Sequence, residues 1–361
     1  MSRKRHVKNL QRSDVKPEKI PIKIGTIDNL ESGADFQIQI ERCKFLASYN
    51  WTKAKEPTVF IPGAPALWTT PTLPITIPKD DGKARIDQNS DRVVAPSFVP
   101  FFAAMLTMQP SYSLLPIALV TDRNSLRKLF DFASGRRRED WRIEVELVRD
   151  TLFLTRWEKN WVRTITGSFH SGYGHEFENA FLEFEEGLED SSAHHRIVEY
   201  EIGGMKWVVR FEADGILEGV AVVRREHLVP PASIIEVKCT GTEKGSQLGN
   251  KVAQCWFSQT RHVFIGHHKD RFVKRVTRAE ISSGLDDWEK NHQDKLRKLM
   301  TLIKEVREVA RQVDNGKCCL VCHHKEKPRV LRVFKSDDKG LVLSEEVKER
   351  YWPSGVNDSI V

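Results

Sequence analysis

The chain has no apolar run of membrane-spanning length, and its basic opening, Met1-Ser2-Arg3-Lys4-Arg5-His6, leads into no hydrophobic signal segment. No membrane partner is expected, and the expected location is the nucleus, the cytoplasm or both. Cysteine is scarce: of six in 361 residues, Cys43, Cys239 and Cys255 are scattered, and Cys318, Cys319 and Cys322 cluster. That is not a disulfide framework, and it points to a reducing compartment. Cys319-Leu320-Val321-Cys322-His323 spells the haem-attachment string, but without an export signal and inside an alternating strand no haem is expected. For zinc, Cys318, His323 and His324 lie too close together to complete a tetrahedral site, which leaves structural cysteines on a strand. Internal repeats and a dividing linker are absent too. Asp80-Asp81, Asp286-Asp287 and Asp337-Asp338 lack the third aspartate of an isoprenoid synthase helix, which excludes that class.

What is present describes a soluble globular protein, 40% hydrophobic and 30% charged. A net charge of +7 and a pI near 9.0 permit a polyanionic partner without demanding one. Residues 1–21 read as a basic tail: Arg3-Lys4-Arg5 with Lys8 and Arg12 form a nuclear-import address, a phosphate-contacting arm or simply a solvated end. Residues 22–361 read as one domain, with a β-rich and proline-rich wrap over 22–111, a core over 112–281, and a helix with edge strands over 282–361. Phe36–Ile40 and Phe45–Tyr49 read as short β runs.

From Ile61 to Pro100 the proline spacing forbids a long helix and favours an extended segment. Ile86-Asp87-Gln88-Asn89 inside it reads as a turn rather than a ligand-contacting loop. Helices are expected over 100–108, 125–132 (capped by Thr121-Asp122-Arg123-Asn124), 172–187, 247–260 and, as one long element, 285–313. Strands are expected at 114–120, 197–200, 207–213, 220–224, 233–239 and 262–266. Trp141–Val148 and Thr151–Thr155 form a hairpin, and 319–343 alternates like edge strands. The fold class is mixed α/β: a central, mostly antiparallel sheet flanked by helices, with a cleft over its middle strands.

The chemistry concentrates between Trp207 and Thr260. Strand side chains alternate faces, so Glu212 and Asp214 point the same way, as do Glu236 and Lys238. If the two strands pair, three carboxylates and an ammonium converge. Such carboxylates repel one another unless a cation sits among them, and a hard divalent metal is the usual resolution. Glu178 on an upstream helix adds a fourth acid. An acid-bearing strand followed by acid-x-Lys resembles the PD-(D/E)xK phosphodiesterase core.

Within that class, Pro116 to about Lys269 resembles the DXO/Rai family of RNA 5′-end quality-control nucleases. Ala118-Leu119-Val120-Thr121-Asp122-Arg123 is similar to that family's strand ending in a functional arginine. Trp141 to Leu154 resembles its hairpin, Gly172 to Glu178 its Gly-Tyr-x-Phe-Glu-like helix, and Phe211 to Asp214 its Glu-x-Asp strand. Ile235 to Thr240 resembles its Glu-x-Lys strand, and Lys251 to Gly266 its next helix and strand. The 61–89 stretch looks like a specialised branch associated with fungal relatives.

The resemblance implies that Glu178, Asp214, Glu236 and the Val237 carbonyl hold Mg²⁺ or Mn²⁺. Glu212 would hold a second metal or the metal's water, and Lys238 would position the attacking water. Arg123 would contact phosphate, while Lys251, Arg136, Arg137 or Arg138 would touch the RNA backbone. The implied activity is decapping or pyrophosphohydrolysis of RNA 5′ ends, with 5′→3′ exoribonuclease activity as an extension and a separate 5′→3′ exoribonuclease as a candidate protein partner. One departure stands out: the family's Trp-x-Gln falls on Trp256 and Ser258. Gln254 lies one turn earlier on the same helical face, and Gln259 is rotated about 100° from Ser258. Either Gln254 reaches in, or the chain is a catalytically reduced RNA-binding or partner-binding paralogue. His194-His195 is open between a structural pair and a substrate-facing one.

Overall fold

The computed structural model describes residues 36–93, 97–136, 139–166, 172–219, 229–241, 251–327, 330–336, 340–341 and 343–353, and the backbone of 22–26. The tail 1–21, the expected strand at 220–224, Arg137, Arg138 and the start of the 247–260 helix lie outside the described residues.

The N-terminal part contributes strands β1 (Ile22–Thr26), β2 (Ile40–Thr52), β3 (Val59–Phe60), β4 (Ala66–Trp68), β5 (Ile75–Thr76) and β6 (Asp81–Arg85). Helices α1 (Gln88–Arg92) and α2 (Val99–Met108) follow, then β7 (Ile117–Asp122), α3 (Arg123–Ala133) and the hairpin β8 (Trp141–Val148) and β9 (Thr151–Trp157). Next come β10 (Val162–Thr166), α4 (Gly174–Phe181), β11 (Leu182–Glu183), β12 (Ser191–Ile202), β13 (Met205–Glu212) and β14 (Gly215–Ile216). The remainder is β15 (Ile234–Thr240), α5 (Val252–Ser258), β16 (His262–Lys269), β17 (Phe272–Glu280), α6 (Ser282–Asn291), α7 (Gln293–Arg311), β18 (Lys317–Cys322), β19 (Val330–Lys335) and α8 (Glu345–Tyr351).

Among the described residues, ten strands form the larger sheet in the order β1-β19-β18-β8-β9-β7-β13-β12-β2-β3. Strand β7 runs parallel to β9 and β13, and the other pairings are antiparallel. A second sheet runs β11-β4-β14-β15-β16-β17-β5, parallel at β4–β14 and β15–β16. The two sheets share a core. Leu119, Trp207 and Val209 of the first sheet meet Ile234, Val263 and Ile265 of the second, with α3, α5, α6 and α7 closing the space. Alternation sends Val120 and Val208 to the opposite face, under α2 and α8. The second sheet's outer face takes α4, whose Phe177 and Phe181 pack on Ile235, Val237 and Phe264. Gly266 makes that packing possible, because a Cβ there would come within 2.2 Å of the Phe177 ring.

Several expectations change. Strands β13 and β15 do not pair: Glu212 ends a strand of the first sheet, and Glu236 lies in the second. The chain crosses between sheets at Ala213-Asp214, and β14 just beyond is what pairs with β15. The 285–313 element is two helices broken at His292, whose backbone leaves helical geometry (φ −119°, ψ 14°). There the Gln293 side chain bonds both the N–H and the carbonyl of Ile38, at 2.7 and 2.8 Å, tying the bend to the start of the chain. The 172–187 helix stops at Phe181. Of the two short runs near the N-terminus, Phe45–Tyr49 lies within the longer strand β2, whereas Phe36–Ile40 reaches strand geometry only at Ile40. Neither C-terminal strand is an edge among the described residues: β18 lies between β8 and β19, and β19 between β18 and β1. Asp122 gives α3 no side-chain cap. Both of its oxygens instead take Nε and Nη2 of the buried Arg210, at 2.6 and 3.0 Å, as a buried guanidinium requires. Cys318, Cys319 and Cys322 are buried in β18. Among the described residues no helix is long and apolar enough to cross a membrane.

Candidate active site

The sheet crossing assembles the site. Glu212 arrives at the end of β13, Asp214 stands on the crossing itself, and Glu236 and Lys238 share one face of β15. Ile234 on that face belongs to the shared core, so Glu236 is carried toward α3 and α5 and is 2% exposed. A buried carboxylate needs partners, and this one has three. Its Oε1 accepts from Lys238 Nζ and from Gln254 Nε2, each at 2.6 Å. Its Oε2 faces Arg123 Nη1 at 3.4 Å.

Asp214 Oδ2 accepts the Val237 backbone N–H at 2.7 Å and faces Lys238 Nζ at 3.3 Å. Lys238 also donates to the Val237 carbonyl at 2.5 Å. Arg123, first residue of α3, donates from Nη1 to Ser258 Oγ and from Nη2 to the Glu212 carbonyl, both at 3.2 Å. Its guanidinium lies 5.4 Å over the Phe211 ring. Ser258 Oγ donates back to the Gln254 carbonyl at 3.0 Å and meets Thr260 Oγ1 at 2.9 Å.

The acids divide electrically. Against its burial, Lys238 and Arg123 hold the Glu236 carboxyl down to about 2. Burial, then the charge of Glu236, raises Asp214 above the usual carboxylate range despite the pull of Lys238. Glu178 is raised well above it by burial and then by Asp214. Glu212 is exposed to solvent, yet desolvation by the surrounding protein and then Asp214 push it up to about 7, with Arg123 pulling back. Lys238 is raised, since Asp214, Glu236 and Glu178 outweigh its desolvation. Lys251, at the N-cap of α5, is lowered by burial and then by Lys238.

Four carboxylates around Lys238 and Arg123 are a donor set that fits a hard divalent cation: oxygen-rich, crowded and short of positive charge. The geometry is not that of a closed cage. Among the described residues no three His, Cys, Asp or Glu side chains are already placed to hold one ion. Lys238 Nζ stands between Asp214 and Glu236.

The structure therefore brings together Glu178, Glu212, Asp214, Glu236, Val237, Lys238, Arg123, Gln254 and Ser258, with Lys251 at the margin. It does not bring in Gln259, which ends α5 in the left-handed region (φ 53°) and folds its amide onto the Trp256 carbonyl at 2.8 Å. Arg136 faces Asp131 at 3.6 Å. His195 is buried, stacked on Tyr49 with ring centroids 5.0 Å apart, and its Nε2 meets Asn89 Nδ2 at 3.0 Å. Asp87 caps α1, as turn chemistry would have it. Sequence reasoning missed Thr260 and Asp80. Thr260 follows two residues after Ser258, a spacing that offered a signal; Asp80 accepts the backbone N–H groups of Gly174 and Glu176 at the start of α4, far along the chain, and nothing local marks it.

A family model matches residues 35–223 and 219–352. The chain belongs to the family described as a domain of unknown function, DUF8563. No curated protein matches it in sequence. The fold of this DUF8563 member is that of the DXO/Rai proteins. Scheffersomyces stipitis Rai1, solved with 3′-NADP⁺ and calcium, superposes with a TM-score of 0.66 at 12% identity, over 91% of this chain and 99% of that one. Candida albicans Rai1, solved with pU5 and Mn²⁺, gives 0.63 at 12% identity over 89% and 97%. K. lactis Dxo1, solved with manganese, gives 0.55 at 9% identity over 92% and 97%.

Proposed function

We propose that this protein is a metal-dependent hydrolase of RNA 5′ ends, removing incomplete or nucleotide-type caps. The observation that carries the reading is the meeting of Glu178, Glu212, Asp214 and Glu236 with Lys238 and Arg123 at one sheet crossing, on a DXO/Rai fold. Relatives of that fold are solved with Mn²⁺, calcium, pU5 and 3′-NADP⁺, which supports a divalent metal and a nucleotide or RNA substrate here.

Glu178, Asp214, Glu236 and the Val237 carbonyl would hold Mg²⁺ or Mn²⁺, which when bound activates water and clamps phosphate oxygens. Every other part belongs to the chain itself. Lys238, whose Nζ stands between Asp214 and Glu236, would set its ammonium toward the developing charge on phosphate. Glu212, at the end of β13 beside Asp214 and Arg123, would take a proton from the attacking water. Arg123 draws a phosphate oxygen toward the cleft, and Gln254 fixes the rotamer of Glu236. Lys251 continues the positive lining.

The test is Mn²⁺-dependent release from 5′-triphosphate, NAD-capped and unmethylated-cap RNA, with Asp214→Ala and Glu236→Ala as controls. Release that survives both substitutions would reject this site. The second reading, an RNA-binding or partner-binding paralogue with reduced catalysis, draws on Ser258 at the family's glutamine position. RNA and Mn²⁺ binding without release would favour it.

A further inference from the structure

The segment from Ile61 to Pro100 meets the helix that carries Glu178 at both ends. At the N-terminal end stands Asp80, 6% exposed. Its Oδ1 accepts the backbone N–H of Glu176 and its Oδ2 that of Gly174, each at 3.0 Å. His175 Nδ1 lies 3.4 Å from the same Oδ2. The backbone N–H of Asp80 donates to the Gly172 carbonyl at 2.9 Å, so the contact is locked from both sides. Tyr173, which occupies the cap position of α4, supplies no side-chain bond. A helix leaves its first N–H groups without intrahelical partners and favours negative charge beside them. Here both needs are met from 94 residues earlier in the chain.

At the other end, the Thr69 N–H donates to the Phe181 carbonyl at 2.8 Å. Strand β4 pairs with β11 through Trp68 and Leu182, and the Trp68 ring stacks on Phe181 with centroids 5.1 Å apart. The same β4 runs parallel to β14, setting Ala66 opposite Gly215, the residue after Asp214. Glu178 and Asp214 thus take their relative placement from one segment that carries neither.

We propose that Asp80 is a positioning residue that fixes α4 so that Glu178 faces Asp214 and Glu236. This rests on the metal-dependent reading of the site, and the experiment separates the two. Wild type, Asp80→Asn and Asp80→Ala are compared by hydrogen exchange across α4 and by calorimetry with MnCl₂ alone. Asp80→Ala removes both acceptors, and we expect α4 amides to exchange about 10-fold faster, with exchange elsewhere unchanged. Asp80→Asn keeps one acceptor oxygen and falls between. Mn²⁺ affinity falls about 10-fold in Asp80→Ala and is partly rescued in Asp80→Asn.

Unchanged exchange in α4 overturns the proposal. So does faster exchange with full Mn²⁺ affinity, or a lower melting temperature with neither change, since either marks a merely structural contact. A wild type that binds no Mn²⁺ overturns the metal reading instead, and α4 exchange still decides whether Asp80 holds the helix.

Discussion

The Gln254 amide donates to Glu236 Oε1 at 2.6 Å, from one helical turn before Ser258. Ser258 itself accepts Arg123 at 3.2 Å. The amide that sequence places in the wrong register thus reaches the site from a neighbouring position, and the shorter serine makes room for the guanidinium.

Gln254→Ala leaves the Glu236 carboxylate with one fewer donor and a free rotamer. We expect the proposed RNA 5′-end hydrolysis to fall about 10- to 100-fold, the usual range for a residue that orients a metal ligand, the role proposed for Glu236. Gln259→Ala, whose amide serves its own helix, should change the rate less than about 2-fold. Equal effects of the two in single-turnover assays would count against the assigned role of Gln254.

Asp214→Ala relieves repulsion among the acids and removes a proposed ligand together. In metal-free buffer its melting temperature should equal or exceed that of wild type. Mn²⁺ at about 100 times its dissociation constant should add about 2.7 kcal/mol to wild type and raise its melting point by several degrees, and Asp214→Ala should show no such rise. Differential scanning calorimetry with and without Mn²⁺ decides.

Asp122→Ala strands the guanidinium of Arg210, which is 0% exposed, without its carboxylate. A loss of about 3–5 kcal/mol in urea unfolding is expected. Asp122→Leu combined with Arg210→Met should recover most of it, because the apolar pair fills similar space without an unpaired charge.

His194 and His195 are both buried, 1% and 6% exposed. Burial first, then Arg196 for the former and Arg210 for the latter, holds both imidazoles well below their ordinary value of 6.5. The unfolded chain takes up protons near 6.5 where the folded one does not, so stability is intact above that pH and falls below it. The slope should approach about 1.4 kcal/mol per pH unit for each histidine. Urea midpoints at pH 8, 6.5 and 5.5 measure it, and His194→Gln or His195→Gln should flatten the slope.

Much of this was legible in the residues because it is local. The alternation from Trp141 to Thr155 specifies a hairpin, and the two-residue spacing of Glu236 and Lys238 specifies one face of one strand. What was not legible depends on partners far away. The pairing of Glu212 and Glu236 across one sheet was a reasonable expectation from two strands near in sequence, but Ala213-Asp214 turns the chain and gives β15 a different neighbour. The break at His292 answers to Ile38, and the start of α4 answers to Asp80. No window of sequence contains both members of either contact.

The pairing of β4 with β14, and of β2 with β12, also has a bearing on synthesis. These strands emerge early and wait for partners well over a hundred residues behind them, so their edges are exposed on the growing chain. The acids cannot meet until β15, which carries Glu236, has left the ribosome. A product cut short before Glu236 should therefore lack the proposed site and present unpaired strands, which makes it a client for chaperones and proteases rather than a weak version of the whole.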